Sequence, residues 1–408
     1  MIEKYYDGAI EQVAAGLGTV EKNYLLVRYS GQFSVENLND TKQLEKNEDI
    51  FVQVHEFETG EITCAYEPYL TMICDGFRRY MTGTFEEFME TCDVYYLHRP
   101  VLLGYFNQDN TGREEIILLD EVAYEQERML AALERMLCAI ADRHPVLFVL
   151  NRFQLASKST MQLTARFLKC ENCNIGLVLG VSDIQAMPEF LVPDWEMLYE
   201  TLDDGSKIYH IGNSGRKKEE TIDDEKYVDY GSEKVYRKLQ NMVEFLDFDQ
   251  AAYYLENIER KIKFDNLLVD DAARFRMWLL FVKVSILRQD IPKALEICED
   301  LEKIHLAGKE EECAYEQDYL IATAYMYQGK LKEALEMAGE TYRIAGKMSD
   351  DYRMFLSELL EAKIQMSGWY NIFFCAQDVK IKESLIQNLI RYNYRNHLAH
   401  VYIYAYDN

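Results

Sequence analysis

The stretch "VLFVLNRFQLASKS", Val146 to Ser159, is a five-residue apolar run that ends in Asn151-Arg152, passes through a polar turn and enters the helical pattern "TMQLTARFLK". A short, unbroken apolar run bounded by a turn reads as a strand buried on both faces, the kind that lies inside a parallel sheet. The same arrangement recurs on either side. Upstream are "NYLLVRYSG", "DIFVQVHEF", the amphipathic "PYLTMICDGFRRYM", and "EEIILLDEV" feeding the long "YEQERMLAALERMLCAIADRH"; downstream are "NIGLVLGVS" and "KIYHIG". Strands rich in Val, Leu and Ile, separated by helices, predict a mostly parallel sheet covered on both faces, an α/β domain.

Composition bounds the rest. A chain of 408 residues has room for two or three domains. Lys and Arg total 44 against 70 Asp and Glu, and the net charge of −26 repels nucleic-acid phosphates and anionic lipid surfaces, so direct nucleic-acid and membrane partners are not expected. The densest basic cluster, "GRKK" at Gly215 to Lys218, is followed at once by "EETIDDE" and reads as solvated linker. The start, "MIEKYYDGAIEQ", has neither the basic segment nor the apolar run of a signal peptide, and no stretch approaches the roughly 18 apolar residues of a membrane span. A cytoplasmic protein is the expectation. Nine scattered cysteines then read as reduced thiols. One close pair, Cys170 and Cys173 in "CENC", lacks the second pair or the histidines that zinc requires. His397 and His400 share a helical face without an acidic or cysteine partner and read as packed or surface residues.

Punctuation changes near residue 213: five of the six prolines lie before it. The expected division is an α/β domain over 1–212, a polar linker over 213–232 and a helical domain over 233–408. In the last part "DFDQAAYYLENIE", "DIPKALEICEDLE" and "KLKEALEMAGETY" superimpose, with Ala251, Ala294 and Ala334 separated by 43 and 40 residues. A small residue recurs because the second helix of each hairpin must approach the first closely. Gly329 stands where two helices turn tightly, and "SGWYNIFFCAQ" continues the series with Gly368 and Ile372, giving about four units. These units resemble tetratricopeptide repeats over roughly 233–380, with Tyr325 and Ala322 on the packing positions of the first helix and Trp278 on the leading aromatic position. An amphipathic array of another solenoid family fits the same residues. Either stack exposes a curved face for a protein or peptide partner or a small-molecule effector. Tyrosines such as Tyr253, Tyr254, Tyr315, Tyr319, Tyr325 and Tyr327 are candidates for recognition or for core.

The opening stretch, extended to "HPVLFVLNRFQLASKSTMQLTARFLKCENCNIGLVLGVSD", resembles the nucleotide-binding module of the signal-transduction ATPases with numerous domains, the STAND class. In that class the strand ends in paired acids, a "W-A-D-x-x-S" turn and a leucine-rich helix follow, and the next strand ends in a polar sensor. Here Asn151 and Arg152 occupy the acidic positions, "LASKST" replaces the turn, and Ser182-Asp183 closes the next strand. The missing acids matter because one holds Mg²⁺ and its neighbour polarises the attacking water. An asparagine amide carries no charge, and an arginine repels the metal.

Upstream, no "G-x-x-x-x-G-K-[S/T]" occurs. "NYLLVRYSGQFSVENLND" keeps the layout of a phosphate loop with Gly31, but Glu36, Asn37 and Leu38 stand where glycine, lysine and the hydroxyl residue belong; an ordinary strand-to-loop connection fits equally. Pro68 and Leu70 match the class's "aPfxxLxxLL" helix, so the resemblance spans about 20–212.

The resemblance implies a P-loop-NTPase-like, AAA/STAND-type domain with degenerate motifs, followed by a tetratricopeptide-like helical solenoid. The implied protein is a bacterial-type regulatory module of signal transduction, akin to maltose-activator-type regulators, with a catalytically inactive pseudoenzyme domain and no cofactor, ATP being disfavoured. The chain stops at "HVYIYAYDN" inside an aromatic amphipathic pattern, which suggests a longer protein carrying an output domain. Two other readings fit: an ATP-binding STAND-type switch, and a repeat scaffold whose α/β domain mediates self-association.

Overall fold

The computed structural model describes residues 2–19, 23–29, 49–58, 61–109, 121–170, 174–182, 187–202, 208–211, 229–265, 267–369 and 382–406. Its strands are β1 (Asn23–Tyr29), β2 (Phe51–Glu56), β3 (Val146–Asn151), β4 (Ile175–Ser182) and β5 (Ile208–Ile211). They form one sheet in the order β2-β3-β4-β1-β5, and every pairing is parallel. β3 and β4 are buried at every residue, which is why both read as unbroken apolar runs. Each fully buried Val, Leu or Phe there contributes about 1.5–3 kcal/mol to burial. "EEIILLDEV" lies almost wholly outside the described residues.

Register fixes which side chains share a face. Leu25 pairs with Val178, Val149 with Val178, Tyr29 with Ser182 and Glu56 with Asn151. One face is covered by α1 (Ile2–Gly16), whose Ala9, Ile10 and Val13 pack on Leu25, Val27, Leu147, Val149 and Val178. The helix lies very close to the sheet, because a Cβ added to Gly176 would stand 2.8 Å from Val13 Cγ1 and 3.1 Å from Leu147 Cδ1. The opposite face carries α2 (Tyr69–Tyr80), α5 (Val122–Ala141) and α6 (Lys158–Lys169). The Tyr69 ring centre lies 4.7 Å from that of Phe148 and 5.2 Å from that of Phe167. Between α2 and α5 come α3 (Phe85–Thr91) and α4 (Arg99–Asn107), and α7 (Val192–Leu202) comes after β4. Thr84 and Glu87 close the start of α3 reciprocally, as the spacing of a capping box requires.

The remaining helices are α8 (Glu233–Glu244), α9 (Phe248–Phe264), α10 (Asp271–Leu287), α11 (Ile291–Leu301), α12 (Glu310–Gln328), α13 (Leu331–Met348), α14 (Asp351–Trp369), α15 (Glu383–Arg391) and α16 (Arg395–Tyr406). The chain forms two compact units. The first gathers Met1–Gly112, Glu121–Asp229 and Asn241–Gln250; the second contains Tyr230–Gln240 and Ala251–Asn408. Most of the expected linker, 213–232, lies outside the described residues, and α8 and α9 each carry residues of both units.

In the second unit Ala251, Ala294 and Ala334 are wholly buried on α9, α11 and α13, and Trp278 is buried on α10. Ala322 and Ala334 pack with Met326, Leu331, Leu360 and Ile364, and the half-buried Tyr325 joins the edge of that cluster. Gly329 ends α12 at φ +81, a conformation that glycine adopts without strain. Asp290 caps α11 by accepting the Lys293 N–H at 3.2 Å. Of the tyrosines, Tyr315 is buried while Tyr327 is exposed. Gly368 falls in the last turn of α14, and Ile372 lies outside the described residues. His397 is buried beside the Tyr394 ring. Among the described residues no helix is long and apolar enough to cross a membrane.

Packing and charge each yield a test. Gly176→Ala forces α1 off the sheet and should lower the denaturant-derived stability of the first unit by about 1–3 kcal/mol. In the second unit, burial pushes the Asp318 carboxyl up to about 6, and Glu340 and Glu302 add to the rise. An acid whose folded pKa is raised favours folding fully below its unfolded pKa of about 3.9, and that contribution is lost as pH rises through about 6. Asp318→Asn should therefore stabilise the second unit at pH 7 by about 1 kcal/mol, after discounting for solvent screening. Urea titrations of wild type and variant should converge at pH 4; a pH-independent difference contradicts the assignment.

Candidate functional site

Parallel sheets place ligands outside the carboxyl ends of their strands, where successive connections leave in opposite directions. The chain leaves β1 toward β2 at one edge and leaves β4 toward β5 at the other, so that point falls between the neighbours β1 and β4. Tyr29 and Ser182 end these two strands in register, and Asn151 and Glu56 extend the same edge.

The side chains there are already engaged with one another. Tyr29 Oη donates to Asn151 Oδ1 at 2.6 Å in a buried hydrogen bond that spans β4. Burial pushes the Tyr29 phenol up to about 12, against the opposing pull of the Arg152 charge and the Asn151 hydrogen bond, so it remains a neutral donor near pH 7. The next residue, Arg152, takes a left-handed backbone at φ +53, and its Nε lies 3.3 Å from Glu56 Oε1. A turn of 3₁₀ helix, Phe153–Leu155, comes next. Gln154 sews it to the end of β4: its Nε2 donates to the Ser182 carbonyl at 3.1 Å and its Oε1 accepts the Ser182 N–H at 3.4 Å.

The start of α6 is closed in the same way. Ser157 Oγ accepts the Thr160 N–H at 3.3 Å as a helix cap. Ser159 Oγ accepts the Tyr66 N–H at 3.0 Å, and Thr160 Oγ1 donates to the Glu67 carbonyl at 2.9 Å. The remaining N–H groups at this positive helix end meet acceptors from the distant turn into α9: Ser159 N–H donates to Asp247 Oδ2 at 3.0 Å and Lys158 N–H to Gln250 Oε1 at 3.2 Å. The Lys158 ammonium is bound by the Asp249 carboxylate and lies 4.0 Å from Asp194 Oδ2. Burial opposes that charge, but the Asp249, Asp194 and Asp247 carboxylates together outweigh it and hold the ammonium above its ordinary pKa. Asp247 is itself fully buried, and burial raises its carboxyl despite the Ser159 hydrogen bonds that favour its charge. Beside these groups a small cleft of about 40 Å³ is lined by Tyr66, Gln126, Lys158, Gln162 and Phe248.

Of the residues singled out in the sequence, Asn151 and Arg152 stand at the end of β3, where the strand–turn–helix pattern puts them. Gly31, Glu36, Asn37, Leu38 and Asp183 lie outside the described residues. The structure adds Tyr29, Glu56, Gln154, Lys158, Ser159 and Asp247. Lys158-Ser159 carried a local signal, a cation and a hydroxyl at the first turn of a helix after a strand. Asp247 carried none, being 88 residues from its partner. No protein-family model, curated protein or solved structure matches the chain. Among the described residues no three His, Cys, Asp or Glu side chains gather as a metal would require.

Two substitutions at one position test the helix-end contact. Asp247→Ala leaves the buried Ser159 N–H unpaired and should cost about 1–3 kcal/mol. Asp247→Asn keeps an acceptor and removes a charge that burial disfavours, so it should be neutral or stabilising at pH 8. Because the wild-type carboxyl has its folded pKa raised, wild type should gain on the Asn variant as pH falls. Equal losses for both variants would show that the carboxylate charge, not the acceptor, holds the contact.

Proposed function

We propose that this chain is a regulatory module of signal transduction in which a P-loop-NTPase-like α/β unit of STAND type serves for contacts instead of hydrolysis. On this reading the second unit is a tetratricopeptide-like solenoid that receives a protein or peptide partner, or a small effector. The observation that carries the reading is the closure of the carboxyl edge: Asn151 is bound by Tyr29, and Arg152 is paired with Glu56. A hydrolytic centre needs a carboxylate for its metal and a second group to orient water. At the end of β3 this chain offers a neutral amide and a cation. The start of α6, which would favour an anion, is met by Asp247. Protein or peptide binding by the second unit is supported by its helix pairs with buried alanines at a recurring spacing, since such stacks expose an extended face.

A second reading, an ATP-binding switch, is favoured by one feature: the opposed connections from β1 and β4 meet where open α/β sheets take their ligands. Calorimetric titration with ATP, with and without Mg²⁺, together with a phosphate-release assay, separates the two. The regulatory scaffold predicts no turnover and no magnesium-dependent micromolar binding. Turnover that disappears in Asn151→Ala would overturn it, and tight binding without turnover would establish the switch.

A further inference from the structure

Cys138, in the last turn of α5, and Cys170, which caps the carboxyl end of α6, place their sulfurs 3.7 Å apart. The two helices are separate elements on one face of the sheet, and the sulfurs meet near the carboxyl end of each. Both residues are half-buried, so a small oxidant reaches them while bulk solvent does not surround them. Thiols at contact distance need only a modest approach to reach the roughly 2.05 Å of a disulfide.

We propose that Cys138 and Cys170 are a reversible redox pair that closes a disulfide under peroxide. The chain enclosed by residues 138–170 holds all of β3, the Asn151-Arg152 turn and α6, so the bond would staple the segment that carries the candidate site. Burial, then the neighbouring Cys170 sulfur and the Glu134 and Asp142 carboxylates, push the Cys138 thiol up and keep it protonated. In one order of events Cys170 meets the oxidant first. Its attack on hydrogen peroxide breaks the O–O bond, gives a sulfenic acid and releases one water. The Cys138 sulfur then attacks that sulfenic sulfur; the S–S bond forms, the S–O bond breaks, and hydroxide leaves with the Cys138 proton as a second water. Two thiols are oxidised by two electrons and one peroxide is reduced to two waters.

Mapping on the full chain tests this. Protein reduced and then treated with graded hydrogen peroxide is alkylated and digested with trypsin and a glutamate-specific protease, which parts Cys170 from Cys173 at Glu171. The expected product is the Cys138 peptide joined to the Cys170 peptide, lost again on adding dithiothreitol. In Cys138→Ser the Cys170 sulfur should instead proceed to sulfinic acid. Thermal unfolding of the oxidised wild type should rise by roughly 5 °C, with no such rise in either serine variant. A Cys170–Cys173 or Cys138–Cys173 link, or recovery of both Cys138 and Cys170 as alkylated thiols after other cysteines have oxidised, overturns the proposal.

Discussion

A strand that runs buried through the middle of a sheet has to end without leaving a polar atom unpaired, and the Tyr29–Asn151 hydrogen bond is how β3 ends. Asn151 is wholly buried, and a buried acceptor left without a donor costs about 1–3 kcal/mol. The donor comes from two strands away, across β4. This bond ties the outer half of the sheet to β1 at the edge where open α/β sheets usually present their chemistry. The path of the chain beyond β3 depends on it. Arg152 turns out of the strand toward Glu56, Gln154 fastens to Ser182, and Ser157 starts a helix whose first turn is sewn to Tyr66 and Glu67.

Charge in the first unit obeys the same rule of internal completion. The chain carries a net −26, yet two of its cations stand at the site, and each is met by an acid of the same unit: Arg152 by Glu56, and Lys158 by Asp249. Around Lys158 the acids outnumber the cation, with Asp247, Asp249 and Asp194 all acting on it. A phosphate approaching this end of α6 would meet that acidic surround before it met the ammonium. The second unit pairs cations with acids in the same way, Lys293 with Glu259 and Arg353 with Glu316, but it also crowds like charges. Asp318 sits near Glu340 and Glu302, and the rise in its pKa records burial together with that crowding.

The sequence made legible what is set by neighbours along the chain. The unbroken run Val146–Leu150 and the period of "TMQLTARFLK" identify a strand and a helix because burial on both faces, or on one, imposes those patterns locally. Ala251, Ala294 and Ala334 were legible for a similar reason: a close helix contact admits only a small side chain, so identity and spacing carry the message. Gly329 was legible through its left-handed backbone requirement. The partners of the site residues were not. Tyr29 and Asn151 are 122 residues apart, and Ser159 and Asp247 are 88 apart, so only the folded register brings them together. Nothing in a tyrosine at the end of "NYLLVRY" says that it will serve an asparagine across two strands. A separation of 32 residues likewise hid the meeting of Cys138 with Cys170, whose sequence signal pointed to its neighbour Cys173.

A site completed by its own side chains responds to ligands in a particular way. An anion that sought the amino end of α6 would have to displace the Asp247 carboxylate, which is tethered in place and acts at an effective concentration on the order of millimolar or above. Its apparent affinity would fall by the factor needed to open that contact. Such an exchange would also release the turn from Asp247 to Gln250. The polar contacts that let β3 end inside the protein are thus the same ones that fill the edge where an open α/β sheet takes its ligands.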